Sequence, residues 1–228
     1  MHIGILQTGH APAHIRAKHG DYDAMFDTLF QGQGFHYTTW NVVDMEFPQS
    51  PSDADGWLVT GSAHGAYEEH AFIPPLEDFL REIRAANRPL VGICFGHQII
   101  AQAFGGKVEK FKGGWKIGRD TYDFDGAEIT ANAIHQDQVV SLGPGATLRA
   151  ASKHCAHAAI SYGPNIFTVQ PHPEIHDGVL EDFIEEDFAK SRYPEEQVRE
   201  AHENLSMPNM AEHFTCALAE TLKSKSPA

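Results

Sequence analysis

Cysteine is scarce in this chain, and its scarcity excludes some kinds of small protein. The three cysteines, Cys94, Cys155 and Cys216, are an odd number and lie far apart. They argue against a disulfide framework or a zinc ribbon and favour a reducing compartment, so we expect a cytoplasmic protein. Residues 1–8 lack the basic start and the long apolar run of a signal peptide.

Long apolar runs and basic residues are also in short supply. No stretch reaches the roughly 18 apolar residues that a membrane-spanning helix requires. Lys and Arg together number 17 against 31 Asp and Glu, which gives a formal net charge of −14. An acidic surface repels nucleic-acid phosphates and anionic lipids, so we expect neither a nucleic-acid nor a membrane partner.

The first half of the chain alternates between strand and helix patterns. Apolar residues recur at helical spacing in 22–30 and 76–83, and a third helical stretch covers 95–104. Strand-like runs separate these stretches, at 3–7, 35–43, 56–60 and 89–93. The alternation predicts an α/β fold, an open, mostly parallel twisted sheet with helices on both faces. In such sheets ligands bind beyond the carboxyl ends of the strands.

Residues 107–170 change to short strands and turns, which predicts an antiparallel extension of the sheet, with strands at 108–111, 117–124 and 166–170. The chain then becomes helical and charged. We expect a helix over 180–188 that breaks at Tyr193-Pro194, a surface loop at 205–208 and a helix over 210–223. Without a visible linker, we predict one domain over 1–228, with a catalytic core (1–176) and a helical C-terminal extension (177–228).

A short segment around Cys94 is the most informative part of the sequence. Residues 91–98 read Val-Gly-Ile-Cys-Phe-Gly-His-Gln, with a buried strand before the cysteine and a helix after it. This is the nucleophile-elbow layout with Cys in place of Ser, and its tight turn requires small residues at Gly92 and Gly96. The alternative is a buried cysteine that only packs, which is how we interpret Cys155 and Cys216.

A candidate base and its orienting carboxylate follow the last predicted strand. His172 and Glu174 flank Pro173, and on an extended segment two residues apart they lie on the same side. Glu174 would then hold the imidazole in the tautomer that accepts the thiol proton. The alternatives are a solvated turn, or a metal site with His176, which the non-helical segment and the missing H-E-x-x-H pattern disfavour. We expect His10 and His14 to be surface residues.

Small residues next to another predicted strand end suggest an oxyanion hole. The turn at Gly61 and Ser62 presents backbone N–H groups, and the N–H of Phe95 is a second donor at the start of a helix. A similar Gly-Gly pair precedes Trp115 and permits close approach of a ligand. For both segments a simple surface turn is the alternative.

These motifs resemble those of class I (triad-type) glutamine amidotransferases. The elbow at 92–98, His-Pro-Glu at 172–174, the glycine turn at 61–62 and the segment 135–139 follow the family's order, over about residues 56–176. The subgroup that the chain resembles is the free-standing GMP-synthase-like amidotransferases, which include γ-glutamyl peptidases. The resemblance implies a Cys94–His172–Glu174 triad. It also implies that Gln98 and the backbone near Gly61, Ser62 and Trp115 bind the α-amino-acid end of a small-molecule substrate.

One departure bears on the acceptor of the released ammonia. Family synthases pass ammonia to an ATP-using domain, but this sequence has no P-loop motif and no room for such a domain. The acceptor is then water or a separate synthase partner. We expect no cofactor and no metal. A non-catalytic regulatory protein on the same fold, and a metalloprotein using some of the 15 histidines, stand as alternatives.

Overall fold

The computed structural model describes residues 1–185 and 193–224. The helix expected over 180–188 therefore lies partly outside the described residues. The strands are β1 (His2–Leu6), β2 (His36–Trp40), β3 (Gly56–Val59), β4 (Leu90–Ile93), β5 (Lys107–Lys110), β6 (Lys116–Phe124), β7 (Ala127–His135), β8 (Asp137–Ser141), β9 (Ala146–Ser152), β10 (Ala159–Tyr162) and β11 (Ile166–Val169). The helices are α1 (Ala13–His19), α2 (Tyr22–Leu29), α3 (Ile73–Ala85), α4 (Phe95–Ala103), α5 (Asp177–Glu185), α6 (Glu195–Asn204) and α7 (Glu212–Leu222).

Nine strands form one sheet in the order β2-β1-β3-β4-β11-β10-β9-β6-β7. The strands from β2 to β11 in that order pair in parallel. The remaining pairs, from β11 through β10, β9 and β6 to β7, are antiparallel. β5 and β8 make a separate antiparallel pair. The predicted α/β fold, with a parallel sheet and an antiparallel extension, is confirmed. Two strands expected in the extension lie elsewhere, since β5 pairs with β8 outside the main sheet and β11 also pairs in parallel with β4.

Helices cover both faces of the sheet, because the parallel strands are apolar on both sides. In β3 the side chain of Leu58 belongs to one buried cluster, whereas those of Trp57 and Val59 belong to the other. This is the alternation expected of successive residues in a strand. The Leu58 cluster is completed by α2, α5 and α7, and the Trp57 cluster by α3 and α4.

Two helices were not predicted from the sequence, α1 and α6. In α1 only Ile15 is buried, and in α6 only Ala201, so neither shows a clear apolar periodicity. Pro194, at the expected helix break, caps the start of α6 with φ −58°. A proline is compatible with the first turn because its missing N–H has no intrahelical partner there.

The remaining C-terminal expectations agree with the structure. Residues 205–208 are not helical, and α7 covers Glu212–Leu222 against the expected 210–223. Within the described residues, no helix combines the length and apolarity needed to cross a membrane.

Candidate active site

Cys94 lies in a strained turn between β4 and α4. Its backbone has φ 52° and ψ −105°, a conformation that non-glycine residues rarely adopt. Its N–H donates to the Val169 carbonyl (2.9 Å), and the N–H of Gly96 donates to the Thr60 carbonyl (3.1 Å). These two bonds fix the turn to the ends of the neighbouring strands.

The glycines around Cys94 allow the turn to pack against the sheet. A Cβ on Gly96 would lie 2.3 Å from the backbone oxygen of Val59, and one on Gly92 would lie 2.7 Å from the backbone of Gly96. Both distances are far below van der Waals contact, and backbone atoms cannot move aside cheaply. A side chain larger than hydrogen therefore does not fit at either position of the elbow.

His172 and Glu174 lie together beyond the end of β11. The Nδ1 of His172 is 2.7 Å from Oε1 of Glu174, and both side chains are almost completely buried. Cys94 lies beside His172, since the Gly61 backbone borders both side chains. The structure thus brings together the three side chains that the sequence nominated.

Opposing effects act on the pKa of His172. Burial lowers this pKa, but the Glu174 carboxylate and the Cys94 sulfur outweigh burial and raise it well above 6.5. The neighbouring His135 behaves in the opposite way. Burial, and next the charge of His172, lower the pKa of His135 to about 3, so its imidazole is neutral at physiological pH.

A buried polar network holds the His-Pro-Glu segment in place. The His172 N–H donates to the Asn132 carbonyl (2.8 Å), and the Asn132 amide donates to the Ile175 carbonyl (2.7 Å). The fully buried guanidinium of Arg119 donates to Asn132 Oδ1 and pairs with Asp177 at 2.9 Å. These bonds tie the His-Pro-Glu segment to strands β6 and β7, so the segment has little freedom to move.

Sequence reasoning missed the members of this network, Arg119, Asn132 and Asp177. Arg119 and Asn132 lie within strands β6 and β7, where the pairing places them opposite each other. A charged side chain and an amide in strands that also carry Ile117 and Ile129 only weakly indicate a buried polar network. Polar residues that alternate with apolar ones in a strand usually face solvent.

The backbones of Gly61 and Phe95 adjoin Cys94. A Cβ on Gly61 would lie 3.2 Å from the His172 ring and 3.8 Å from the Cys94 Cβ, so the Gly61 backbone borders both side chains. Phe95 is the first residue of α4, where backbone N–H groups lack intrahelical acceptors. The two donors expected for an oxyanion hole therefore both adjoin Cys94.

The remaining predicted binding residues have different surroundings. Gln98 donates from its amide to the Asp137 carbonyl (2.8 Å) and to Gln170 Oε1 (3.1 Å). The Ser62 hydroxyl donates to the Thr8 carbonyl (2.8 Å) and accepts from a backbone N–H, so it shapes the loop. The ring of Trp115 packs edge-on against Tyr193 at 4.8 Å.

Two cavities meet at Cys94. The smaller, of about 110 Å³, is polar and includes Gln98, His135 and Asp137 in its lining. The larger, of about 310 Å³, includes His172 and mostly apolar residues. Cys94, Ser62 and Trp115 line both cavities, so the sulfur faces two chemically different spaces.

Charged residues of the smaller cavity were not identified from the sequence. Glu68 and Lys110 both line it, and Tyr67 there donates to Asp137 at 3.1 Å. They lie in a loop and in a short exposed strand without a motif around them, so no pattern in the sequence marks them.

Metal-binding geometry occurs at the rim of this cavity. His64, Glu68 and His70 could together hold a metal ion. One possible ligand atom from each lies within 4.8 Å of the others, and among the described residues this is the group of His, Cys, Asp or Glu side chains that does so. Glu68 already accepts a hydrogen bond from His70 at 2.8 Å. His172, Glu174 and His176 do not form such a group.

Two other expectations concern histidines and cysteines. His10, expected at the surface, is exposed but pairs with Asp21 at 2.7 Å and Asp44 at 3.0 Å, and with His14 it lines the larger cavity. Cys155 is fully buried, and burial raises the pKa of its thiol to about 12, as for a cysteine that packs. Cys216 is exposed.

Comparison with known proteins places these features in a family. The sequence model of the class-I glutamine amidotransferase family matches residues 32–191, more than half of the chain. γ-Glutamyl peptidase 4 of Arabidopsis thaliana is 32% identical over 186 residues, 75% of this chain and 74% of that protein. A glutamine-hydrolysing GMP synthase of Pyrobaculum aerophilum is 35% identical over 134 residues, 56% of this chain but 25% of the synthase.

Solved structures agree at the level of the fold. A glutamine amidotransferase from Thermotoga maritima superposes with a TM-score of 0.74 at 20% identity, covering 98% of this chain and 100% of the other. Because the family sequence model covers residues 32–191, which include the elbow, and the plant peptidase matches 75% of this chain at 32% identity, the chain belongs to the class-I glutamine amidotransferase family.

Proposed function

We propose that this enzyme hydrolyses the γ-amide of glutamine or of a related γ-glutamyl compound through a Cys94 thioester. The observation that carries the proposal is the contact of Cys94 with a His172 that is itself bonded to Glu174 at 2.7 Å, in a site reached from two cavities. The similarity to a protein named γ-glutamyl peptidase supports the same chemistry.

In the first half of the reaction Cys94 is the nucleophile. Its thiolate, paired with protonated His172, attacks the γ-carbonyl carbon, and the carbonyl electrons move onto oxygen. The N–H groups of Gly61 and Phe95 donate to that oxyanion. When the intermediate collapses, the C–N bond breaks, the leaving nitrogen takes the proton of His172, and a γ-glutamyl thioester remains on Cys94.

In the second half water replaces the amine. His172, now neutral, accepts a proton from water as the oxygen attacks the thioester carbon. The C–S bond breaks, glutamate leaves and the Cys94 thiolate is restored beside protonated His172. Glu174 stabilises the imidazolium in both halves and does not itself gain the proton. The sum is one amide and one water converted to glutamate and one amine.

The smaller cavity suits the α-amino-acid end of the substrate. It carries both charge types, Glu68 for the ammonium and Lys110 for the carboxylate. Gln98 uses its amide hydrogens within the protein, so its carbonyl oxygen is the atom that would accept a bond from the ammonium. Ser62 and Trp115 shape the passage between the two cavities.

A second function is supported by one specific observation. The chain matches a quarter of the length of a GMP synthase, as expected of a glutaminase that acts with a separate synthase partner. In that case ammonia, not a larger amine, would leave the site, and the partner would consume it.

Glutamate release by the purified chain distinguishes the two. We expect glutamate from glutamine or γ-glutamyl amides without any added protein, and none from the Cys94→Ala variant. If all these substrates stay intact until a synthase is added, the enzyme is a subunit and not a stand-alone hydrolase.

We also propose a cytoplasmic location and a single domain in which residues 177–228 complete the catalytic core. The three free cysteines support the first of these. Phe183 and Tyr193, which line the larger cavity, support the second. Measuring activity after truncation at residue 176 tests the domain proposal, since an active truncated chain would contradict it.

A further inference from the structure

Resting on the proposed function, we propose that the preferred substrates are γ-glutamyl amides of bulky, uncharged, apolar primary amines, with the amine portion bound in the larger cavity beside Cys94. Glutamine itself, whose leaving group is ammonia, would use almost none of this cavity.

The position of the general acid decides which cavity receives the leaving group. His172 lines the larger cavity and does not line the smaller one. Since the leaving nitrogen must take its proton from His172, the amine has to depart on that side of the sulfur. The γ-glutamyl portion then extends into the smaller cavity, where Glu68 and Lys110 lie.

The size of the larger cavity exceeds what ammonia requires. Its volume is about 310 Å³, against about 110 Å³ for the smaller one. A cavity holds one water, which is close to ammonia in size, once its volume reaches roughly 10–15 Å³. An amine with a chain of several carbons is therefore the leaving group that fits the space.

The chemistry of the cavity wall favours apolar groups. Its apolar and aromatic lining includes Pro12, Tyr22, Ile134, Ile175, Phe183 and Tyr193. Burial raises the pKa of Tyr22, so this phenol is neutral at physiological pH. Burying an apolar chain against such a wall is favourable in proportion to the area removed from water.

Charged leaving groups find few partners there. Among the residues that the structure describes, the lining of the larger cavity contains no Asp, Glu, Lys or Arg. His10, at its edge, is already bonded to Asp21 and Asp44. A carboxylate on the amine portion, as in a γ-glutamyl dipeptide, would lose hydration there, and the imidazolium groups of His10 and His172 that border the cavity are already paired with Asp21, Asp44 and Glu174.

Three synthetic substrates separate the effects of size and of charge. γ-L-Glutamyl hexylamide and ethylamide both release primary alkylamines of similar basicity, and in the γ-glutamyl amide of 6-aminohexanoate a carboxylate replaces only the terminal methyl of the hexyl chain. We expect the hexylamide to have a kcat/KM at least about tenfold higher than the ethylamide. We expect the same difference between the hexylamide and the 6-aminohexanoate amide. Glutamine is compared in the same assay.

A variant of the cavity wall tests whether this space is the cause. Phe183→Ala should lower the hexylamide-to-ethylamide ratio at least threefold, because Phe183 lines the larger cavity. Phe47→Ala removes the same side chain from the opposite face of the sheet and should leave the ratio unchanged. Both substrates are measured on the same preparation of each variant, so a loss of folded protein lowers both rates equally and leaves the hexylamide-to-ethylamide ratio unchanged.

The substrate comparison separates failure of this substrate preference from failure of the proposed function. Glutamate release that is equally fast from ethylamide and hexylamide, or faster from glutamine or the 6-aminohexanoate amide, overturns the substrate class and leaves the γ-glutamyl hydrolase intact. If no γ-glutamyl compound releases glutamate, both proposals are wrong.

Discussion

His172 and Glu174 share a 2.7 Å hydrogen bond between Nδ1 and Oε1, and both side chains are almost completely buried. The bond fixes the tautomer of the ring so that Nε2 is the nitrogen available to Cys94. In a buried setting this electrostatic interaction is stronger than the same pair at the surface. The pair therefore controls both the direction and the basicity of the imidazole.

Replacing Glu174 by Gln should lower turnover more than substrate binding. The amide keeps the shape of the carboxylate but carries no charge to stabilise the imidazolium, and it can present an N–H to Nδ1 and select the wrong tautomer. We expect kcat to fall at least about 100-fold with KM changed by less than about threefold. Steady-state glutamate release measures both, and a kcat within twofold of the parent would refute the role.

The titration of His172 should move in the same variant. In the parent, the pKa of this ring is raised above 6.5, so it stays protonated above that pH. Removing the charge of Glu174, or the sulfur with Cys94→Ala, should lower the pKa. NMR titration of the His172 Cε1–H detects the change, and identical midpoints in all three proteins would contradict it.

The same raised pKa has a consequence for stability. A pKa raised on folding stabilises the folded state fully below pH 6.5, and this contribution is lost as the pH rises through the folded value. Urea unfolding should therefore show a free energy that declines above pH 6.5, and a smaller decline in Glu174→Gln.

Covalent capture by 6-diazo-5-oxo-L-norleucine, a glutamine-like electrophile, should depend on one cysteine only. Cys94 lies between the two cavities, whereas Cys155 is fully buried with a pKa raised to about 12. We expect intact-mass spectrometry to show one adduct in the parent, in Cys155→Ala and in Cys216→Ala, and none in Cys94→Ala. An adduct retained in Cys94→Ala would remove Cys94 as the nucleophile.

Adding one methyl group at Gly96 should destabilise the protein by about 1–3 kcal/mol or more, because the Cβ would lie 2.3 Å from the Val59 oxygen. Gly178→Ala is the matched control. The nearest atom to its Cβ is 3.5 Å away, and Gly178 lies within α5, so the change should be neutral or stabilise by up to about 1 kcal/mol. Denaturant unfolding compares them, and equal stabilities would contradict the steric interpretation.

Lys110→Met should raise KM for γ-glutamyl substrates about tenfold and leave kcat nearly unchanged, because a contact to the substrate carboxylate is the same in the ground and transition states. Lys110 lines the smaller cavity, whereas Lys107 on the same strand pairs with Glu109 at 2.5 Å. Lys107→Met is therefore the control. Equal KM values in the two variants would exclude Lys110 from the binding site.

Much of the active site was predictable because its requirements are local. A turn that forces Cys94 to φ 52° needs glycines within two or three residues on either side, and these appear in the sequence as a pattern. His172 and Glu174 are likewise related by the period of two in an extended chain. The order of strands and helices follows from the same kind of short-range periodicity, except at α1 and α6, where few residues are buried.

The sequence by itself thus determined the fold class, the elbow and the identity of the three clustered side chains. Only the tertiary structure decided what holds them and what space they face. Arg119, Asn132 and Asp177 meet because β6 and β7 pair and the chain after β11 returns beside them. Pro12, Ile134 and Phe183 face one cavity although they are far apart in sequence. Such contacts depend on the packing of distant segments, to which local dihedral preferences and hydrophobic periodicity are insensitive.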